Sequence, residues 1–163
     1  MFCRKSCFAV MACLWLSGCS ALSPYSSQTR LDLNITASDQ LNPDLNGRPS
    51  PMVLRLLELK HPVSFGRVDF FSLYARPKGS LEPDLVSIEE LQLSPGEKLQ
   101  LKLRVDGESG YVGVVAGYRD LPETKWRHLI EIKSGERNRV DLVLDHAGIH
   151  LASEQISQMQ DKP

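Results

Sequence analysis

Leu99, Leu101, Leu103 and Val105 alternate with Lys98, Gln100, Lys102 and Arg104 without interruption. Successive side chains of an extended chain point to opposite faces, so this segment has one apolar and one charged face. At the 3.6-residue period of a helix the same charges would be carried into the core. The segment is therefore a strand with one face covered. The same period relates Leu31, Leu33, Ile35 and Ala37 to the intervening Asp32, Asn34 and Thr36, and it sets Val140, Leu142 and Leu144 apart from Arg139, Asp141 and Asp145. Trp126, His128, Ile130 and Ile132 form another inward set, with Arg127, Leu129 and Glu131 on the opposite face. Residues 52–59 and 111–118 are apolar on both faces, apart from Arg55 and Glu58, which is the pattern of central strands covered on two sides. Gly113 and Gly117 within the second run mark the close approach of another element. Turn residues at 94–97, 106–110, 122–124 and 134–136 separate these runs. The pattern predicts a mainly β fold, a two-sheet antiparallel β-sandwich.

Two segments depart from it. In residues 66–75, Val68, Phe71 and Tyr74 recur three apart beside Phe70 and Leu73. That spacing predicts a small amphipathic helical insertion, closed by Pro77. Weaker helical patterns occur at 80–85 and in the polar tail. Residues 38–51 are long for a β connection and carry Pro43, Pro49 and Pro51, which exclude regular strand pairing. This loop is expected to project between the first two strands, either as a plain surface excursion or as a recognition loop. The isolated Leu41 and Leu45 favour recognition, with Asp39, Leu41, Asn42, Asp44, Leu45 and Arg48 as the partner-binding residues. On that expectation, shortening the loop to a Gly-Gly turn leaves the sandwich folded and weakens only the partner complex.

The first nineteen residues place the chain. Arg4 and Lys5 precede an apolar stretch from Cys7 to Trp15, followed by Leu16, Ser17, Gly18 and Cys19. The stretch is shorter than the ~20 residues a membrane-spanning helix needs, and it has the layout of a removable secretory signal. Leu-Ser-Gly-Cys resembles the bacterial lipobox, which implies diacylglyceryl transfer to the Cys19 thiol and cleavage before it. At ~0.8 kcal/mol per buried methylene, two or more acyl chains hold a soluble domain on a bilayer. Ser20, standing where an Asp would signal inner-membrane retention, favours the outer membrane, with the domain facing the periplasm.

Cleavage removes residues 1–18 of 163, leaving 145, and with them Cys3, Cys7 and Cys13. No pair of cysteines remains, so stability must come from the core. The organisation expected is a signal at 1–18, a lipidated Cys19 and flexible tether at 19–29, a β-sandwich at 30–152 and a polar tail at 153–163. Two of the 19 basic residues leave with the signal, so 17 stand against 20 acidic ones. That balance gives no reason to expect a nucleic-acid partner.

Catalytic signatures are wanting. His146 and His150 stand four apart, but Gly148 and Ile149 between them disfavour the helix on which that spacing builds a zinc pair. No Gly-x-Ser-x-Gly elbow occurs. Glu89 and Glu90 point to opposite faces and cannot flank one bond. Arg119 and Asp120 either pair where the chain leaves its strand or are separately solvated, Tyr118 and Trp126 are expected in the core, and Glu97 is expected to be exposed. Neither enzyme activity, a metal nor a cofactor is implied.

The middle of the chain resembles the TssJ family of outer-membrane lipoproteins of bacterial type VI secretion systems. The resemblance is carried by Val53-Leu54-Arg55-Leu56-Leu57-Glu58-Leu59-Lys60, by Phe65 with Asp69-Phe70-Phe71-Ser72-Leu73, and by Leu93-Ser94-Pro95-Gly96-Glu97. It continues in Val112-Gly113-Val114-Val115-Ala116-Gly117-Tyr118-Arg119-Asp120-Leu121 and in Trp126-Arg127. It implies a transthyretin-like sandwich with a small helical insertion. It also implies an anchor for the secretion envelope complex, binding the periplasmic C-terminal region of the inner-membrane protein TssM, and through it the TssL-TssM complex, with the loop between the first two strands participating. The other class compatible with the residues is a lipid-anchored periplasmic sandwich that binds a glycan or small ligand, which would be expected to expose aromatic side chains.

Overall fold

The structure, a computed structural model, describes residues 28–154. The signal, Cys19 and nearly all of the tether and tail lie outside them. Eight strands form two four-stranded sheets. One has the order β4-β1-β7-β8, from Lys98–Arg104, Arg30–Ala37, Arg137–Asp145 and Gly148–Leu151; the other has the order β3-β2-β5-β6, from Leu85–Leu93, Met52–Leu59, Tyr111–Ala116 and Arg127–Glu131. Pairing is antiparallel except between β1 and β7, which run parallel from Arg30↔Arg137 to Ala37↔Leu144. That pair corrects the wholly antiparallel expectation. The 106–110 turn likewise makes no hairpin, since it carries the chain from β4 in one sheet to β5 in the other.

Period-two side chains fill the space between the sheets. Leu31, Leu33, Ile35 and Ala37 of β1, Leu54 and Leu56 of β2, Val112, Val114 and Ala116 of β5 and Leu142 and Leu144 of β7 are all buried in one cluster. β4 lies at a sheet edge, so its Leu99, Leu101 and Leu103 are only partly covered. β3 is hard to read from the sequence because all its residues but the buried Leu93 are half-buried or exposed, without clean alternation.

The far face of the second sheet is covered by three short helices: α1 (Val63–Arg67), α2 (Phe70–Ala75) and α3 (Pro77–Leu81). Leu57, Leu59 and Val115 pack there against Phe65, Leu73 and Leu81, so β2 and β5 are indeed covered on both sides. The single helix expected at 66–75 is divided at Val68 and Asp69, whose backbone is extended; the Asp69 carboxylate accepts from Ser72 N at 3.0 Å and starts α2 afresh. α2 ends at Ala75, ahead of Pro77 as expected, but the insertion goes on: Pro77 opens α3, where its missing N–H costs nothing. A Cβ on Gly113 would stand 2.5 Å from the Phe65 ring, and one on Gly117 would stand 3.2 Å from the Tyr74 hydroxyl. These glycines are the seats of the insertion. Arg127 fixes it further, donating from Nη1 to Phe65 O and Val68 O at 3.0 and 2.8 Å.

Candidate partner-binding surface

The 38–51 loop leaves β1 at the end of the sandwich opposite to the chain's entry and returns to β2. At the entry end, Thr29 O accepts from Val105 N at 3.1 Å and Thr29 Oγ1 accepts from Gly135 N at 2.9 Å. Thr29, expected to be the last tether residue, is thus buried in the fold. At the loop end, Ser38 N donates to Leu144 O at 2.8 Å, and Ser38 O accepts from Leu41 N and Gly96 N.

The two loop leucines have opposite fates. Leu41 is wholly buried in the main core, whereas Leu45 is 107% exposed. Leu41 is therefore a core residue and not a partner contact: Ser50 N donates to Leu41 O at 3.0 Å and pins the loop's return there. Asn42 also turns inward. Its backbone adopts a left-handed φ of 46°, its Oδ1 accepts from Arg119 N at 2.9 Å, and its Nδ2 donates to Pro51 O at 3.4 Å. Asparagine tolerates that backbone region better than most residues. Leu41 thus offers no surface to a partner, and Asn42 keeps only the little that faces the neighbouring cleft, because their side chains are spent on this chain.

Asp44 organises the tip. Its Oδ1 accepts from Asn46 N at 2.8 Å and Arg48 N at 2.9 Å, while Asp44 N donates to Arg48 O and Gly47 N to Asp44 O. The Arg48 amide first, and then the Asn46 amide, hold the Asp44 carboxyl below its ordinary value of 3.8. Gly47, at φ 75°, closes the turn. The result is a tied projection with Leu45 at its crest and Arg48 exposed beside it. Asp39 lies on the other flank, where its Oδ1 comes within 2.7 Å of the place a Cβ on Gly96 would occupy. Beside that flank, Glu97 is not simply exposed as expected; its Oε2 accepts from Ser94 N at 2.7 Å and closes the 94–97 turn.

Between the loop and its neighbours lies a cleft of about 800 Å³. Asn42, Asp44 and Leu45 line one wall, and Tyr118, Arg119, Asp120, Glu123 and His146 the other. Sequence does not assign the opposite wall to the site, although Tyr118, Arg119 and Asp120 stand in the 112–121 run that carries part of the resemblance. Arg119 and Asp120 are both exposed, so their side chains are available at the mouth. Tyr118 is buried as expected, and burial, reinforced by Asp145, pushes its phenol well above the ordinary range. Among the described residues no group of three or more His, Cys, Asp or Glu side chains is placed to hold a metal.

The comparisons agree with this architecture. The T6SS-SciN family profile, described as type VI secretion lipoprotein, VasD, EvfM and TssJ, matches residues 29–147. The crystal structure of the T6SS lipoprotein TssJ1 from Pseudomonas aeruginosa superimposes with a TM-score of 0.74 at 34% identity, covering 77% of this chain and 95% of that one. Lip of Serratia marcescens, described as a membrane-bound component of the type VI secretion system, gives 0.70 at 24% identity over 76% and 97% of the two chains. A chain in a structure described as the T6SS protein TssM C-terminal domain from EAEC gives 0.64 at 21% identity over 76% and 97%, a likeness of fold. Among curated proteins none matches. The profile match, the identity to a solved TssJ and the two-sheet fold together mean that this chain belongs to the TssJ family of type VI secretion lipoproteins.

Proposed function

We propose that the protein is acylated at Cys19, sits on the periplasmic face of the outer membrane, and anchors the type VI envelope complex by binding the periplasmic C-terminal region of TssM, and through it the TssL-TssM complex. The observation that carries this reading is bipolar. The chain enters the sandwich at Thr29, and the 38–51 loop crowns the other end of β1, an eight-residue strand about 24 Å long. A lipid at one pole leaves the other free to face a protein reaching across the periplasm. Leu45, Arg48 and the cleft wall at Arg119 and Asp120 form the contact, while Leu41, Asn42 and the Asp44 carboxylate hold the loop in shape.

The ligand-binding alternative draws less support. Tyr118, the aromatic residue of the cleft, is buried, and the exposed Phe71 lies away on the helical insertion.

Calorimetry between the lipoprotein and the purified TssM C-terminal region tests the contact. Leu45→Asp is expected to weaken it at least tenfold, about 1.4 kcal/mol, with an unchanged melting temperature; undiminished affinity in Leu45→Asp and Arg119→Glu would move the contact elsewhere. Cys19→Ser is expected to leave the protein out of the outer-membrane fraction. Normal fractionation of that variant would remove the lipid anchor from the reading.

A further inference from the structure

The outward face of the first sheet is strongly uneven in charge. The strand register sets Arg30, Arg104 and Arg137 in one row and Asp32, Lys102 and Arg139 in equivalent positions of another. Five of these six side chains are cations, all exposed. The sixth, Asp32, is sunk among them and accepts from Arg137 Nε at 2.6 Å. That bond, with the added fields of Arg139 and Lys102, holds its carboxyl below the ordinary value of 3.8. Beyond these rows Asn34 Nδ2 donates to Asp141 Oδ1, and Glu136 stands in the turn before β7. A chain whose mature part is acidic has thus gathered a cationic patch on one end of one face.

That end is where the tether joins. Arg30 follows Thr29 directly, and the ten residues 20–29 that lead to Cys19 could span at most about 36 Å. The patch is therefore held near whatever surface the acyl chains occupy, at a high effective concentration. Cations so confined are attracted by anionic headgroups within a Debye length.

We propose that this face, through Arg30, Lys102, Arg104, Arg137 and Arg139, docks on the anionic phospholipid headgroups of the bilayer that holds the acyl chains. The contact sets the orientation of the domain on that surface, with the 38–51 loop at the end of β1 remote from the docked rows. It rests on acylation of Cys19.

The acylated lipoprotein carrying Gln100→Cys, labelled with an environment-sensitive fluorophore, tests it, since the mature chain has no cysteine besides Cys19. Vesicles of phosphatidylcholine are compared with vesicles in which part of that lipid is replaced by phosphatidylglycerol. Flotation with both reports the anchor, and quenching of the label by headgroup spin probes reports the docked face. Quenching is expected to rise about fivefold or more in the anionic vesicles. It should fall back in Arg30→Glu/Lys102→Glu/Arg104→Glu, which spares the Asp32 partner Arg137, and also in about 0.5 M salt. Flotation with equal quenching in the two vesicle types overturns the docking and leaves the anchor intact. Quenching that survives the charge reversals overturns the assigned face. Failure to float overturns the anchor, and the docking with it.

Discussion

Two leucines four residues apart in one polar loop do opposite work, and hydropathy gives both the same value. Leu41 closes the end of the core, so Leu41→Ala is expected to cost about 2–5 kcal/mol of stability by the usual penalty for a buried leucine; a shift in the urea midpoint checks it. Replacing the whole loop by a Gly-Gly turn, expected from sequence alone to spare the fold, removes Leu41 and is therefore expected to destabilise the sandwich. Leu45, wholly exposed, contributes nothing comparable to folding, yet full burial against a partner is worth about 1.5–3 kcal/mol before costs. Leu45→Asp therefore separates binding from folding. Asn42→Ala is expected to loosen the loop without unfolding the domain, because it removes the acceptor of Arg119 N and burdens alanine with a left-handed backbone. Accelerated amide exchange at Arg119 would report it.

Position within a sheet decides how much an alternating strand matters. β1 lies between β4 and β7, and Leu33 is wholly buried; β4 lies at the edge, and Leu101 is half-covered. A charge at position 33 has no route to water, whereas one at 101 can turn outward. Leu33→Asp is expected to abolish folding, and Leu101→Asp to be milder, leaving a measurable cooperative transition by circular dichroism. The helical insertion has its own point of failure. Gly113→Ala drives a methyl into the Phe65 ring in the centre of β5, and forced overpacking of this kind costs about 1–3 kcal/mol. An unchanged melting temperature for that variant would show that Phe65 is free to withdraw.

For the whole molecule, titrating groups predict how stability depends on pH. Burial is the main cause lowering His128 from its ordinary 6.5, with Lys125 and His150 adding to it and Glu154 opposing. The unfolded chain then takes up that proton first, so stability is expected to decline as the pH falls through 6.5 towards the folded value. Hydrogen bonds from Arg137, the Arg48 amide and Ser72 lower Asp32, Asp44 and Asp69 respectively. Their contribution is present above 3.8 and is lost as the pH falls from there through the folded values. Urea midpoints measured across this range should show a decline below 6.5 and a further one below 3.8, and His128→Leu should flatten the first. A midpoint constant from pH 6.5 to below 3.8 would contradict the directions of these shifts.

At the same scale, the alternation in β1, β4 and β7 and the two-faced apolar runs of β2 and β5 determine a sandwich with one sheet covered twice, because period and burial are local properties of the chain. Gly113 and Gly117 even announce the insertion that sits on them. The parallel β1–β7 pair, the crossing of the 106–110 turn between sheets and the weakly patterned β3 are decided by tertiary pairing, for which a single strand's period carries no partner information. So is the surface. Arg30, Lys102, Arg104, Arg137 and Arg139 are scattered over more than a hundred residues of sequence, and only strand register makes them one patch. The wall of Arg119 and Asp120 opposite Leu45, and the burial of Leu41, depend likewise on how far the loop folds back, which hydrogen bonds from residues distant in sequence settle.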